Sequence, residues 1–300
     1  MVKNDFFLSF KESFLIFLKG LFMGFCDIIP GISGGTIALI TGIYERFMAA
    51  LKNLNILWII PFLFYFKNKK NKVILKKEFF RMDPFFLITL AFGIFFAILI
   101  GSKIIPYFLD NYTAYIYSFF FGLIFTSSIY LIFKNKFNFK SLFFLMFGIL
   151  IGFLITGINE LQTNNNLYIL FIAGFFAVFA MLLPGVSGSF LLLIFGQYNY
   201  MLNALNNFLD YLIDIFIFIL GMAMGLIFGS KFIALLLKNF YNYTLFFLIG
   251  LMVGSLRLPF IKISTNFIGI FQIPLFIIFA IIGSIFIFML FYFEKKYKNN

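Results

Sequence analysis

The 300-residue chain has no histidine and one cysteine, Cys26. The first absence removes Ser-His catalysis, a histidine proton relay and histidine metal ligands together. The second removes a disulfide framework and a cysteine metal site. No metal and no other cofactor is therefore expected. Charge is scarce too: charged residues make up only 11% of the chain, against 63% hydrophobic. The mean hydropathy of +1.06 lies outside the range of soluble domains and implies a multi-span helical membrane protein. The 53 phenylalanines reflect compositional bias, so no single one is assigned a role. A formal net charge of +12 invites a nucleic-acid reading. The basic residues sit between hydrophobic segments, however, where membrane topology and anionic headgroups explain them better, so no nucleic-acid partner is expected.

What the chain does contain is one 25-residue stretch written twice. The first copy starts at Pro30-Gly31-Ile32-Ser33-Gly34-Gly35-Thr36 and runs to Leu54. The second starts at Pro184-Gly185-Val186-Ser187-Gly188-Ser189-Phe190 and runs to Phe208. The offset is 154 residues, and eleven positions are identical. Proline removes a donor and breaks a helix, and glycine takes backbone angles that other residues avoid. Irregular backbone survives at membrane depth only where protein buries it or it lines a cavity. Two such breaks in matching halves point to a transporter's binding site.

Taken in order, Phe14–Ile29 is apolar except for Lys19, Cys26 and Asp27, and Thr36–Tyr44 follows the break. The ten residues between Lys19 and the break make about 15 Å of helix, half a hydrocarbon core, so a re-entrant hairpin over 14–51 is expected. Two short full spans are the alternative. The insert 54–83 reads as an interfacial segment with Trp58 and Tyr65, then a basic loop from Lys67 to Arg81, cytoplasmic by its charge. Spans are expected over 84–107, 112–133 and 141–158. The loop of Asn159, Glu160 and Asn164 is external. The second hairpin covers 167–205, followed by spans 212–237, 243–256 and 271–293. Lys295, Lys296 and Lys298 place the C-terminus in the cytoplasm, and the N-terminus, without a cleavable-signal pattern, lies there too.

A second set of matches has an offset of 128: Gly93, Gly101-Ser102-Lys103, Asn111, Gly122-Leu123 and Ser127 recur as Gly221, Gly229-Ser230-Lys231, Asn239, Gly250-Leu251 and Ser255. Each half, 1–158 and 159–300, then holds one hairpin and three spans. An odd number of crossings turns the second half upside down. The fold class read from the sequence is an all-α polytopic membrane protein of inverted-topology repeats, each a re-entrant helical hairpin plus three transmembrane helices.

A Gly-rich turn entering a helix presents several N–H groups to one point, reinforced by the helix dipole. Two such tips, with the hydroxyls of Ser33, Thr36, Ser187 and Ser189 and the backbone of Gly31, Gly34, Gly35, Gly185 and Gly188, form a candidate cradle for a phosphate. Packing through small residues is the bland alternative. Arg46 is a candidate phosphate partner. Asp27, an intramembrane carboxylate, and Glu45 are candidates for carrying a coupling proton; Asp27 also fits as a cap on local backbone or a partner for Arg46. Lys103 and Lys231 are candidates for guiding an anion at either mouth, or ordinary helix-end anchors. Gly31-Ile32-Ser33-Gly34-Gly35 fits the G-x-S-x-G nucleophile pattern, but Ser33 has no histidine base, and a lysine base, Lys19 or Lys103, leaves Ser187 unexplained.

The run Asp27-Ile28-Ile29-Pro30-Gly31-Ile32-Ser33-Gly34-Gly35-Thr36, with Gly42-Ile43-Tyr44-Glu45-Arg46, resembles the first signature of the PopT family of bacterial membrane proteins. Leu183-Pro184-Gly185-Val186-Ser187-Gly188-Ser189-Phe190, with Gly196 and Tyr198, resembles its second. The resemblance implies a non-enzymatic translocase in the bacterial cytoplasmic membrane. It returns undecaprenyl phosphate, the lipid carrier of cell-wall glycan synthesis, from the outer to the cytoplasmic leaflet. A small-anion carrier or channel and an intramembrane serine hydrolase are the rival readings.

Overall fold

A computed structural model of the chain describes residues 9–53, 80–158, 166–267 and 269–298. Trp58, Tyr65 and the basic loop up to Lys77 fall outside the described residues, as does the loop of Asn159, Glu160 and Asn164. The described chain is helical throughout, without strands. In chain order the helices are α1 (Phe10–Ile28), α2 (Gly34–Ile40), α3 (Tyr44–Lys52), α4 (Pro84–Lys134), α5 (Phe139–Ile155) and α6 (Leu167–Leu182). There follow α7 (Gly188–Ile194), α8 (Tyr198–Asn206), α9 (Leu212–Asn239), α10 (Tyr241–Ser255), α11 (Arg257–Thr265) and α12 (Ile273–Lys298). Among the described residues, three stretches are long and apolar enough to cross a membrane: α4, α9 and the continuous pair α10–α11.

Where the sequence suggests two spans, 84–107 and 112–133, the structure has one 51-residue helix with a non-helical residue, Tyr112, at φ −133° and ψ 28°. The residue 128 positions later, Phe240, has φ −134° and ψ 42° and separates α9 from α10. The same bend thus divides both halves. A second expected feature also differs. Thr36–Tyr44 reads as a single apolar run, but Gly42 at φ 70° ends α2 and α3 restarts at Tyr44. Gly42 donates to Leu39 O and Ile43 to Ala38 O, the paired bonds of a glycine C-terminal cap. Gly196 at φ 64° does the same between α7 and α8.

Glycines set the helix pairs. Gly20 of α1 meets Leu90 and Gly93 of α4, and Gly174 of α6 meets Phe218 of α9, whose Gly221 meets Phe171 in return. A Cβ at Gly20 would lie 2.3 Å from Leu90 O, and one at Gly221 2.2 Å from Phe171 O. Small residues let backbones touch where lipid supplies no hydrophobic drive between helices. The two helices that the sequence reads as third spans, α5 and α12, each pack on a helix of the other half. α5 packs on α10 through Gly148 and Gly250, and α12 packs on the second arm of α4 through Gly283 and Gly122. Gly122 and Gly250 are matched positions, so one contact is made twice. The core gathers at the centre of this arrangement, around α2 and the middle of α10, both almost wholly buried.

Candidate functional site

The two breaks share one backbone shape. Ile29 (φ −85°, ψ 117°) and Leu183 (φ −87°, ψ 127°) leave their helices extended. Gly31 at φ 84° and Gly185 at φ 85° turn the chain through the left-handed region, which favours glycine. Ser33 and Ser187, both extended, then start α2 and α7. Ile32 N–H donates to Ile29 O, and Val186 N–H to Leu183 O.

The breaks also touch. Gly185 N–H donates to Thr36 Oγ1 at 2.8 Å, and Ser33 Oγ donates to Leu183 O at 3.3 Å. Tyr44 OH donates to Leu182 O at 2.8 Å. Helix α6 ends without a helical partner for its last carbonyls, and side chains from the first half supply the donors. On the other side of the junction, Tyr117 OH donates to Pro30 O at 2.8 Å. None of these long-range bonds is visible as a local sequence pattern. Tyr44 is identical in both motifs, yet only the structure shows its hydroxyl reaching the second break.

Asp27 settles on the first break. Its Oδ1 accepts from Gly34 N–H at 2.7 Å, and a Cβ on Gly34 would stand 2.6 Å from Oδ2. Ser33 Oγ accepts from Gly35 N–H at 3.1 Å. A carboxylate and a hydroxyl thus cap α2, where the dipole favours negative charge. The second break lacks this arrangement. Met181 stands in place of Asp27, Ser187 makes no capping bond, and its hydroxyl pairs with that of Ser189 at 2.8 Å. Gly188 and Ser189 are partly exposed, whereas Ser33, Gly34, Gly35 and Thr36 are all buried.

Arg46 lies apart from the junction and does not pair with Asp27. Its Nη1 donates to Glu12 at 2.9 Å and its Nε to Asp83 at 2.5 Å, with the guanidinium over the Phe86 ring. This clamp ties α1, α3 and α4 together at one end. Glu45 accepts from Tyr241 OH at 2.8 Å. Lys103 and Lys231 are exposed on α4 and α9, outside the junction, and make no ion pair among the described residues. Lys19 donates to Thr41 O at 2.7 Å and so closes the end of α2. Ser33 has main-chain partners only, and no described group is placed as its base.

Known proteins match the chain over most of its length. A family model described as VCA0040-like, undecaprenyl phosphate translocase-like, covers residues 23–268. A polyprenyl-phosphate transporter of Vibrio cholerae is 38% identical over 242 residues, 80% of this chain and 75% of its own. A polyprenyl-phosphate transporter of Staphylococcus aureus is 34% identical over 269 residues, 84% of this chain and 87% of its own. No solved structure matches it. The family match includes both breaks and most of the helices around them, and the chain belongs to the undecaprenyl phosphate translocase-like family.

Proposed function

We propose that this protein carries undecaprenyl phosphate from the outer to the cytoplasmic leaflet of the bacterial cytoplasmic membrane, for reuse in cell-wall glycan synthesis. The phosphate is held at the junction of the two breaks, and the polyprenyl tail stays in lipid beside the apolar surface. The observation that carries this reading is the meeting of two helix breaks of one backbone shape through Thr36, Ser33 and Gly185. Paired interrupted helices are how many transporters build a substrate site at the middle of the bilayer. The halves act as inverted repeats, each with a re-entrant hairpin and three spans, and both termini are cytoplasmic. The duplicated bends at Tyr112 and Phe240 and the duplicated glycine contacts support that division.

Ser187 and Ser189 are the hydroxyls expected to meet the phosphate first, because they are bonded to each other rather than to the opposite break and Ser189 is partly exposed. Gly31, Ser33, Gly34, Gly35 and Thr36 form the opposite wall, with Gly185 and Gly188 on the near one. In this reading Arg46 acts through its clamp on Glu12 and Asp83 and meets a phosphate only if that clamp opens. Lys103 and Lys231 draw the anion toward either mouth. Asp27 is the first choice for a coupling proton and Glu45 the second.

The test is transbilayer movement of labelled undecaprenyl phosphate in liposomes holding the purified protein. Wild type should accelerate movement. Gly188→Leu, whose Cβ would lie 2.7 Å from Ala177 O, should abolish it while the protein still inserts. Normal movement by that variant would sink the cradle. Flux of inorganic phosphate without lipid movement would transfer the site to a small-anion carrier.

A further inference from the structure

The two halves repeat the same residues in different surroundings. Leu51 of α3 is 8% exposed, and its counterpart Leu205 of α8 is 59% exposed. Met48 is fully buried, and its counterpart Leu202 is 45% exposed. The difference lies in what each short helix packs against. Helix α3 lies on the end of α9, where Ile233 and Leu237 are buried. The residues 128 positions earlier are again isoleucine and leucine, Ile105 and Leu109 of α4. Both are partly exposed, and Ser102 is exposed where its counterpart Ser230 is buried. Helix α8 instead rests against α7 and α9 of its own half. On that side an apolar groove of about 300 Å³, bordered by Leu192, Leu202, Leu205 and Ile219, stays open. The α3 side is fastened by the bond from Tyr241 OH to Glu45.

We infer that the face of α4 around Ile105 and Leu109 is a docking surface for α8, and that this structure is one of two states: closed where α3 meets α9, with α8 undocked from α4. The inference rests on the inverted-repeat reading above. Its physical basis is an exchange of like for like. Undocking α3 from Ile233 and Leu237 is offset by docking α8 on Ile105 and Leu109, so the two states lie close in free energy. An equilibrium of that kind responds to modest differences in how strongly a ligand binds each state. The fastenings are not identical. Glu45 and Tyr241 correspond to Asn199 and Thr113, a neutral pair in place of a carboxylate–phenol bond. The observed state therefore keeps the stronger latch, because a hydrogen bond to an ionised group exceeds a neutral one.

Paired cysteines in a Cys26→Ala background test this. Glu45→Cys with Tyr241→Cys reports the observed state, and Asn199→Cys with Thr113→Cys reports the other. All four positions are at least partly exposed, so the core is untouched. The protein is placed in liposomes and treated with a short, cleavable bifunctional thiol reagent. Both pairs should link, the first in higher yield. Linking the 113–199 pair should stop movement of labelled undecaprenyl phosphate, and cleavage should restore it; the 45–241 pair, which replaces Glu45, is read for its linking yield. A Thr113–Asn199 pair that never links in protein that transports would overturn the inference. So would full transport by protein linked at 45 and 241. If both pairs link but the Cys26→Ala protein, with Glu45 intact, moves no undecaprenyl phosphate, the two states stand and the substrate reading falls.

Discussion

Asp27 caps α2 and is the proposed coupling group, and one set of variants separates the two roles. Its carboxylate holds Gly34 N–H at 2.7 Å, at the head of a fully buried helix. In Asp27→Ala that N–H loses a charged acceptor. A hydrogen bond to a charged group contributes about 1.5–3 kcal/mol, and loss of an N-terminal cap about 1 kcal/mol. These describe largely the same contact, so the expected loss is about 2–3 kcal/mol rather than their sum. In a chain of this size about 1 kcal/mol shifts the unfolding midpoint by about 2 °C, which gives a fall of about 4–6 °C. Asp27→Asn keeps a neutral acceptor and should fall by about 2 °C. Gly34→Ala should resemble Asp27→Ala, because its methyl would sit 2.6 Å from Oδ2 and expel the carboxylate. The double variant should then cost little more than either single one, the mark of a shared contact. Thermal unfolding in detergent measures the cap. Liposome transport with and without a pH gradient measures coupling. A wild-type midpoint for Asp27→Ala would refute the cap. An Asp27→Asn protein that still responds fully to the pH gradient would refute the coupling role.

Three further expectations follow from the same contacts. Gly185→Ala should lower the unfolding midpoint more than Gly31→Ala. Both need left-handed backbone, costing about 1–2 kcal/mol, but the new methyl at 185 meets Leu251 O at 2.7 Å whereas at 31 it meets the Leu258 side chain. Gly250→Ala should cost about 1–3 kcal/mol, because its Cβ would stand 2.2 Å from Leu145 O, while Gly269→Ala, with nothing within 4 Å, serves as the neutral control. Tyr44→Phe leaves the buried Leu182 carbonyl without its donor and should cost about 1–3 kcal/mol. Tyr198→Phe, at the matched position, makes no hydrogen bond among the described residues and should change the midpoint little.

The breaks were legible because their cause is local: proline and glycine dictate backbone angles wherever they stand. The Gly42 and Gly196 turns are local in the same sense. Their signal, a glycine identical in both copies and followed two residues later by tyrosine, was present, but the apolar run around it concealed the stop. The glycine contacts between helices were visible only as matched positions, since a single glycine does not say which helix it meets. The packing of α5 and α12 across the halves left no local trace; both are equally apolar whichever partner they choose. Arg46 shows the limit most clearly. Its sequence neighbours suggest a free cation near the motif, but Glu12 and Asp83, 34 residues before and 37 after it, converge on it only once α1, α3 and α4 are packed.

What the duplicated backbone hides is an unequal distribution of polar groups. Lys19, Asp27, Thr36 and Tyr117 each make a hydrogen bond at the first hairpin or across the junction. Their counterparts are Ala173, Met181, Phe190 and Leu245, none with a polar side chain. Evenly shared polar groups would give two breaks of equal rigidity. As built, the first break is capped from within, buried, and fastened at both ends. The second borrows its fastening from the first through Thr36, Ser33 and Tyr44. On the proposed function, a phosphate arriving at the junction would compete for groups around the second break more easily than for those held by Asp27. In that proposal the first break, from Pro30 to Thr36, would be the firmer wall of the site and the second break the part that yields. Ser187 and Ser189 variants should accordingly alter transport with little change in stability, and Ser33 or Thr36 variants should alter both.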